Sequence, residues 1–198
     1  MASPIINDVI QSKLHAFAKE VVRKAKLELG TKKRIKYNDG KTANRRMVSS
    51  GNLQDSIGYV VTAGGVHSAI EFFMASYGKF LDAGVSGRKF KVQGGSPYSY
   101  QNAYSTKSNA HQMSILKWMN KRRIKVRDPE TGSFIKQTVA NRKNLAWLIA
   151  RKVKDRGLPK TEFFSKGLEE LYADLPAQLQ FLIAEELEKM IDEFNIDI

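Results

Sequence analysis

The segment Ser50-Gly51-Asn52-Leu53-Gln54-Asp55-Ser56-Ile57 gives the first indication of the fold. It is a turn-forming segment that leads into two apolar runs. Residues 57–62 and 66–74 are rich in β-branched and aromatic residues, which favour strands. Ala63-Gly64-Gly65 separates the two runs and is typical of a tight turn. The segment therefore predicts the start of an antiparallel strand pair.

Two later segments have the same character. Residues 77–84 read Tyr-Gly-Lys-Phe-Leu-Asp-Ala-Gly, and residues 157–164 read Gly-Leu-Pro-Lys-Thr-Glu-Phe-Phe. Each combines turn-forming residues with aromatic or aliphatic side chains, and none of the three segments resembles a catalytic motif. We interpret all three as architectural.

Helical periodicity covers much of the remaining chain. One long helix is predicted from Pro4 to Gly30, capped by Ser3, and its apolar stripe should pack on the sheet or on a partner. A second helix is expected to begin at Ser108 or Asn109 and to end at residues 121–123.

Three more helices are expected in the last third of the chain. The first carries Leu145, Leu148, Ile149 and Val153 and ends at Gly157. A short helix surrounds Leu168 and Leu171. The last helix has Pro176 in its first turn, an apolar stripe on one face and acidic residues on the other. The stripe consists of Leu179, Leu182, Ile183, Leu187, Met190 and Phe194.

Three other regions lack helical periodicity. Residues 31–49 are basic and poor in apolar residues, which predicts a loop or an arm. Residues 84–101 are rich in Gly, Ser and Tyr, which predicts an irregular surface loop. Residues 124–127 and 133–138 flank a turn and are predicted to form a β-hairpin.

Together these elements predict an α+β fold, with a small, mostly antiparallel β-sheet packed against helices. A long N-terminal helix and an acidic C-terminal helix complete it. The expected organisation is a basic α+β domain at residues 1–174 and an acidic helix at residues 175–198, in the same domain or appended to it.

The composition narrows the class of protein. The chain has 198 residues and no cysteine, so no disulfide framework or thiolate metal site is expected. Neither a signal peptide nor an apolar run of about 20 residues is visible, so we expect a soluble protein made inside the cell, with no membrane partner.

Charge is distributed unevenly along the chain. The formal net charge is +13. Residues 161–198 carry 10 acidic and 2 basic residues, a charge of −8, which leaves +21 for residues 1–160. This asymmetry predicts a basic body that faces a polyanion or an acidic partner, although acidic C-terminal surfaces are common on soluble proteins.

Basic clusters are the candidate contacts with a polyanion, because phosphate neutralisation needs charge density and reach. The candidates are Lys32, Lys33, Arg34, Lys36, Arg45, Arg46, Lys121, Arg122, Arg123, Lys125 and Arg127. Tyr98, Tyr100 and Tyr104 lie near one another in the sequence and could stack on bases. The alternative interpretation is a solvated basic surface beside a tyrosine-rich packing loop.

Catalytic and cofactor motifs are not recognisable, and we expect neither an enzyme nor a cofactor. Gly40-Lys41-Thr42 lacks the earlier glycine of a phosphate-binding loop, since position 35 is Ile35. The three histidines are far apart in sequence, so no metal site is expected. A metal-dependent nuclease is the third-ranked hypothesis. It would use Glu71 and Asp82 as metal ligands, but no third ligand is recognisable in the sequence.

The order of the three segments resembles that of the tail-completion and neck proteins of tailed bacteriophages, which help to join the DNA-filled head to the tail. The resemblance covers about residues 48–175. It maps onto residues that are read as architectural: Ser50, Gly51, Leu53, Ser56, Tyr77, Asp82, Gly84, Phe163 and Phe164. This chain departs from the family in an insertion at residues 85–109 and in the helices that carry Trp118 and Trp147.

The resemblance implies a virion structural protein, assembled in the host cytoplasm, that joins portal to tail. Its partners would be portal, neck and tail proteins, the DNA in the channel, and copies of itself in a cyclic ring of six or twelve. The acidic C-terminal helix could meet a basic surface of the next copy. The alternative is a stand-alone nucleic-acid-binding protein without sequence preference.

Overall fold

The computed structural model describes residues 4–47, 50–64, 67–100 and 110–196. The chain divides into two compact units. The first unit comprises residues 1–35, 43–82 and 161–198, and the second comprises residues 36–42 and 83–160. The described residues form helices and small antiparallel sheets, which confirms the predicted α+β class.

Seven helices and six strands are present in the described residues. In chain order they are α1 Pro4–Gly30, β1 Lys33–Lys36, β2 Thr42–Arg45, α2 Asn52–Ser56, β3 Gly58–Gly64, β4 His67–Phe73, α3 Gly78–Ala83, β5 Val85–Ser86, α4 Ala110–Lys121, α5 Val139–Arg156, β6 Gly157–Leu158, α6 Ser165–Tyr172 and α7 Leu175–Ile196. The strands pair as three separate two-stranded sheets, β1–β2, β3–β4 and β5–β6.

The β3–β4 hairpin and α1 form the centre of the first unit. The hairpin is antiparallel, with Gly58 opposite Phe73 and Val61 opposite Ile70, as the sequence predicts. Gly65, in the predicted turn, lies outside the described residues. Helix α1 packs on β3. Its buried residues recur every three or four positions: Leu14, Ala18, Val21, Ala25 and Leu29.

The core of the first unit brings all three architectural segments together. Leu53 and Ile57 from the first segment pack with Phe163 from the third, against Ala25 and Leu29 of α1. Phe163 is only 1% exposed, and Phe164 and Leu81 are partly buried against the same cluster. Segments that are far apart in the sequence therefore pack in one core.

Asp82 ties the second segment to the third. Its main-chain oxygen accepts hydrogen bonds from the backbone N–H groups of Thr161 and Glu162, both at 3.1 Å. Its carboxylate accepts from the N–H of Phe164 at 2.8 Å and from that of Ser165 at 3.3 Å. Because the first N–H groups of a helix have no partner within it, Asp82 caps α6.

The remaining architectural positions shape the backbone locally. Gly51 takes a φ of +87° at the start of α2, a conformation that favours glycine. The Ser56 hydroxyl donates to the Leu53 carbonyl at 2.8 Å and accepts from the Ala75 N–H at 2.9 Å, which joins α2 to the end of β4. The Tyr77 side chain is exposed, and the Tyr77 carbonyl accepts hydrogen bonds from the N–H groups of Phe80 and Leu81 at the start of α3.

The C-terminal helix α7 packs on α1 within the first unit. Of its predicted stripe, Leu179, Leu182 and Ile183 are half-buried, whereas Leu187 is exposed. The side chains of Met190 and Phe194 lie outside the described set. Phe181, Leu187 and Ile191 of α7 are exposed, so this helix presents apolar side chains outside its half-buried stripe.

In the second unit, the segment predicted as an irregular surface loop binds the end of α5. Backbone N–H groups of Arg88 and Lys89 donate to the carbonyls of Lys154 and Asp155, both at 3.0 Å. The segment also contains β5 and buries Val85, Ser86 and Val92. The prediction of a surface loop for residues 84–101 was therefore wrong at these positions, because the last carbonyls of a helix need donors.

Two glycines make this docking possible. Gly157 ends α5 with a φ of +79°, and a Cβ there would lie 2.1 Å from the Val85 carbonyl oxygen. Gly84 has a φ of +73°, and a Cβ there would lie 2.8 Å from the Lys160 nitrogen. The backbones approach so closely that side chains are excluded.

Three other sequence predictions need correction. Residues 31–49 contain the paired strands β1 and β2, not a loop or an arm, because the buried Ile35 anchors the first strand. Residues 124–127 and 133–138 form a single bridge, between Arg127 and Phe134, not a full hairpin. Leu148 was assigned to the apolar stripe of α5 but is 54% exposed.

Candidate nucleic-acid interface

Basic residues are concentrated in the second unit. It contains 20 Lys and Arg residues against 4 Asp and Glu, a formal charge of +16. The first unit has the remaining 13 basic and 16 acidic residues, a charge of −3. The division of charge between the folded units therefore differs from the division along the sequence, in which residues 1–160 carry +21 and residues 161–198 carry −8.

Helix α4 places a tryptophan among cations. Met119 is fully buried, which fixes the inward face of the helix. Its neighbour Trp118 is 42% exposed, and Lys117, Lys121 and Arg122 are exposed within one turn of it. Because positions three and four apart lie on the same side of a helix, Trp118 and the last two cations share one face.

Helix α5 repeats this arrangement. Thr138 caps it by accepting a hydrogen bond from the Asn141 N–H at 3.1 Å. Ala146 is buried, so the next residue, Trp147, points away from the core and is 42% exposed. Lys143 and Arg151, one turn to either side of Trp147, are exposed. The Arg151 guanidinium lies 5.5 Å from the Trp147 ring centroid, a cation–π contact.

The turn after α4 supplies a third pairing of cations with an aromatic ring. Phe134 is 60% exposed. The Arg127 guanidinium lies 4.2 Å from its ring centroid and the Lys125 ammonium 5.6 Å from it. The Gln137 side chain holds the turn by accepting from the Val126 N–H at 2.8 Å and donating to its carbonyl at 3.1 Å.

Arg123 is held in a strained backbone conformation beside these groups. Its φ is +53°, the left-handed region that favours glycine. The following N–H, of Ile124, donates to the Met119 carbonyl at 2.9 Å, which closes the end of α4 in the manner of a Schellman motif. A position that usually holds glycine therefore carries an exposed cation.

Not every cation of the second unit belongs to its surface. Arg156 pairs with Asp39 at 2.5 Å and stacks on Tyr37 at 4.5 Å. Burial disfavours the charged Asp39 carboxyl, but hydrogen bonds from Arg156 and from the Lys41 N–H, with their positive charges, hold its pKa below its ordinary value. Asn38 completes this contact by donating to the Arg156 carbonyl at 2.9 Å.

The predicted basic clusters divide between the two units. Lys121, Arg122, Arg123, Lys125, Arg127 and Lys36 belong to the second unit. Lys32, Lys33, Arg34, Arg45 and Arg46 belong to the first unit, so the structure does not join all the clusters in one unit.

Two of these lysines have partners within the protein. Lys33 pairs with Glu28, and burial together with the positive charge of Lys166 lowers the pKa of Lys33. Lys36 donates to the Gln93 side chain at 3.4 Å. Lys33 is therefore a weaker candidate for DNA than its exposed neighbours Lys32 and Arg34.

The tyrosines proposed for base stacking are less accessible than the tryptophans. Tyr98 and Tyr100 are half-buried beside β5, where both backbones bond to Ser86. Burial raises the pKa of Tyr100. Tyr104 lies outside the described residues. The Lys143–Trp147–Arg151 stripe was not among the sequence predictions, although its four-residue spacing is visible in the sequence.

The carboxylates of the nuclease hypothesis lie in different surroundings. Glu71 is exposed on β4, whereas Asp82 caps α6 as described above. Within the described ranges no group of three or more His, Asp or Glu side chains could hold a metal ion. None of the described helices is long and apolar enough to span a bilayer.

Comparisons with known proteins add nothing to this geometry: no family model, no curated protein and no solved structure matches the chain. The charge distribution and the exposed side chains are therefore the observations that bear on function.

Proposed function

We propose that this protein is a structural component of a bacteriophage virion, a neck or tail ring subunit that joins portal to tail around the DNA channel. The observation that supports it is the division of charge between the two units, +16 in one and −3 in the other. In this proposal the cationic unit contacts DNA, and the other unit contacts neighbouring subunits. The order of the three architectural segments supports the same family.

Ring closure needs two different patches on each copy, because a cyclic contact is head-to-tail. Helix α7 supplies one of them. Phe181 is 70% exposed, and Leu187 and Ile191, farther along the helix, are also exposed. The same helix carries acidic residues, including Glu185 and Glu188, and residues 161–198 together have a charge of −8.

We assign a basic surface of the next copy as the occupant of this patch. Apolar contact at the centre of the patch would supply affinity, and the acidic rim would orient the neighbour and speed its docking. A ring of six or twelve copies is the expected assembly.

DNA contact in this proposal is electrostatic and independent of sequence. Phosphates are neutralised by Lys and Arg, and each neutralised phosphate lowers the slope of log K against log salt by about 0.9 for duplex DNA. The second unit is the expected contact because its acidic residues are few. Binding should therefore weaken steeply with salt and show no preferred site.

Light scattering coupled to size-exclusion chromatography tests the assembly. The full chain should elute at six or twelve times its mass of 22.3 kDa. Phe181→Asp should break the ring by placing a charge in the apolar patch. The matched control is Tyr172→Asp, an exposed aromatic of the same unit that is not on α7. A ring that survives Phe181→Asp would refute the assignment of α7.

A stand-alone nucleic-acid-binding protein is the second candidate, favoured by the exposed aromatic side chains of the cationic unit. The same experiment separates the two functions. A monomer at all concentrations whose DNA affinity falls steeply with salt supports the second. Recognition of one particular DNA sequence would contradict both.

A further inference from the structure

The two tryptophans of the chain lie in equivalent surroundings. Both belong to the cationic second unit, and each is 42% exposed. Tryptophan is normally well buried, so an exposed indole in each of two packed helices needs an explanation. Each indole also has basic side chains within one helical turn.

We propose that the second unit binds single-stranded DNA by stacking unpaired bases on Trp118, Trp147 and Phe134, while the adjacent lysines and arginines hold the phosphates. This proposal rests on the proposed function only in assigning DNA to the second unit. Ring assembly plays no part in it.

The arrangement matches the chemistry of a single strand better than that of a duplex. A duplex presents phosphates outside and keeps its base faces stacked within, so exposed aromatic rings gain little from it. A single strand offers both groups to a protein surface, and base–aromatic stacking accepts every base. On α5 the order Lys143, Trp147, Arg151 provides cation, ring and cation at intervals of about 6 Å along the axis.

The cations are also oriented toward the rings. Arg127 lies 4.2 Å from the Phe134 centroid, and Arg151 lies 5.5 Å from that of Trp147. A base that stacks on the exposed part of such a ring would have the guanidinium beside it, near the phosphate of the same nucleotide.

Tryptophan emission provides a direct assay, because the chain contains no tryptophan besides these two. The full-length protein is titrated with a 20-nucleotide oligo(dT), with an abasic strand of equal length, and with a 20-base-pair duplex. We expect oligo(dT) to quench the emission and to bind roughly tenfold or more tightly than the abasic strand. Both strands should show the same salt slope, since they carry the same phosphates.

Substitutions then separate stacking from charge. Trp147→Ala should weaken oligo(dT) binding roughly tenfold to hundredfold and leave the abasic strand unaffected. Trp147→Phe should restore most of the affinity, and it keeps the assay valid if the alanine variant unfolds. Tyr172→Ala removes an exposed aromatic of the first unit and should change nothing.

Three results would decide against the proposal in distinguishable ways. Equal affinity for oligo(dT) and the abasic strand would overturn stacking but leave the electrostatic DNA contact intact. Tighter binding to the duplex than to oligo(dT) would likewise overturn stacking and leave the electrostatic DNA contact intact. No binding to any of the three would overturn the DNA contact of the proposed function as well.

Discussion

Replacing Arg123 by glycine should stabilise the protein and weaken its binding to DNA. Arg123 adopts a φ of +53°, which costs a non-glycine residue roughly 1–2 kcal/mol. Glycine removes that strain but gains about 0.4–1 kcal/mol of conformational freedom in the unfolded chain. The net gain in the free energy of unfolding is therefore about 0.5–1 kcal/mol, or roughly 1–4 °C in melting temperature for a chain of this size.

The loss in binding comes from the charge. Arg123 is exposed at the end of α4, among the cations of the second unit. If it contacts one phosphate, its removal should lower the salt slope by about 1 and weaken binding equally for all sequences. Urea unfolding measures the first effect, and a salt series of DNA titrations measures the second.

Arg123→Ala is the matched control, because it removes the same charge and keeps the strained backbone. It should lose DNA affinity as the glycine variant does, without the gain in stability. Equal unfolding midpoints for the two variants would show that backbone strain at residue 123 does not lower stability. A wild-type salt slope in both variants would show that the Arg123 charge does not contact DNA.

Three further predictions concern the architecture. Asp82→Ala should lower the free energy of unfolding by about 1–2 kcal/mol in a urea titration, because α6 loses its cap, whereas the exposed Glu71→Ala should stay within about 0.5 kcal/mol. Asn38→Ala should cost about 1–3 kcal/mol in the same assay, since buried carbonyls lose their donor. The pKa of Asp39 is lowered in the folded state, so its contribution is present above its unfolded pKa of about 3.9 and is lost as pH falls through the folded value. Asp39→Asn should therefore destabilise the folded protein at neutral pH and have progressively less effect in acid. Thermal melts across a pH series measure this. An effect that persists unchanged in acid would mean that the pair with Arg156 contributes no pH dependence.

The sequence predicted a helix or strand well where a single local property, such as burial of one face, determines it. The apolar stripe of α1 reflects burial on one face, which a periodic pattern records directly, and the residue types of β3 and β4 favour strands. The end of α5 at Gly157 was equally visible, because glycine is common after a helix. These predictions needed no knowledge of distant residues.

The failures have a common physical reason. The segment at residues 84–101 reads as a loop, yet its N–H groups satisfy the last carbonyls of α5, more than fifty residues later in the chain. The hairpin β1–β2 depends on one buried isoleucine and on the contact of Asn38 and Asp39 with Arg156. Such long-range hydrogen bonds leave no periodic signal in the sequence.

The sequence by itself determined the α+β class, the positions of the long helices and the net charge of +13. These properties depend on composition and on local periodicity. Only the tertiary structure decided that the basic residues concentrate in residues 36–42 and 83–160, and that each tryptophan stands exposed beside cations. The reason is that membership of a folded unit and exposure of a side chain are set by packing between distant segments, which no local pattern encodes.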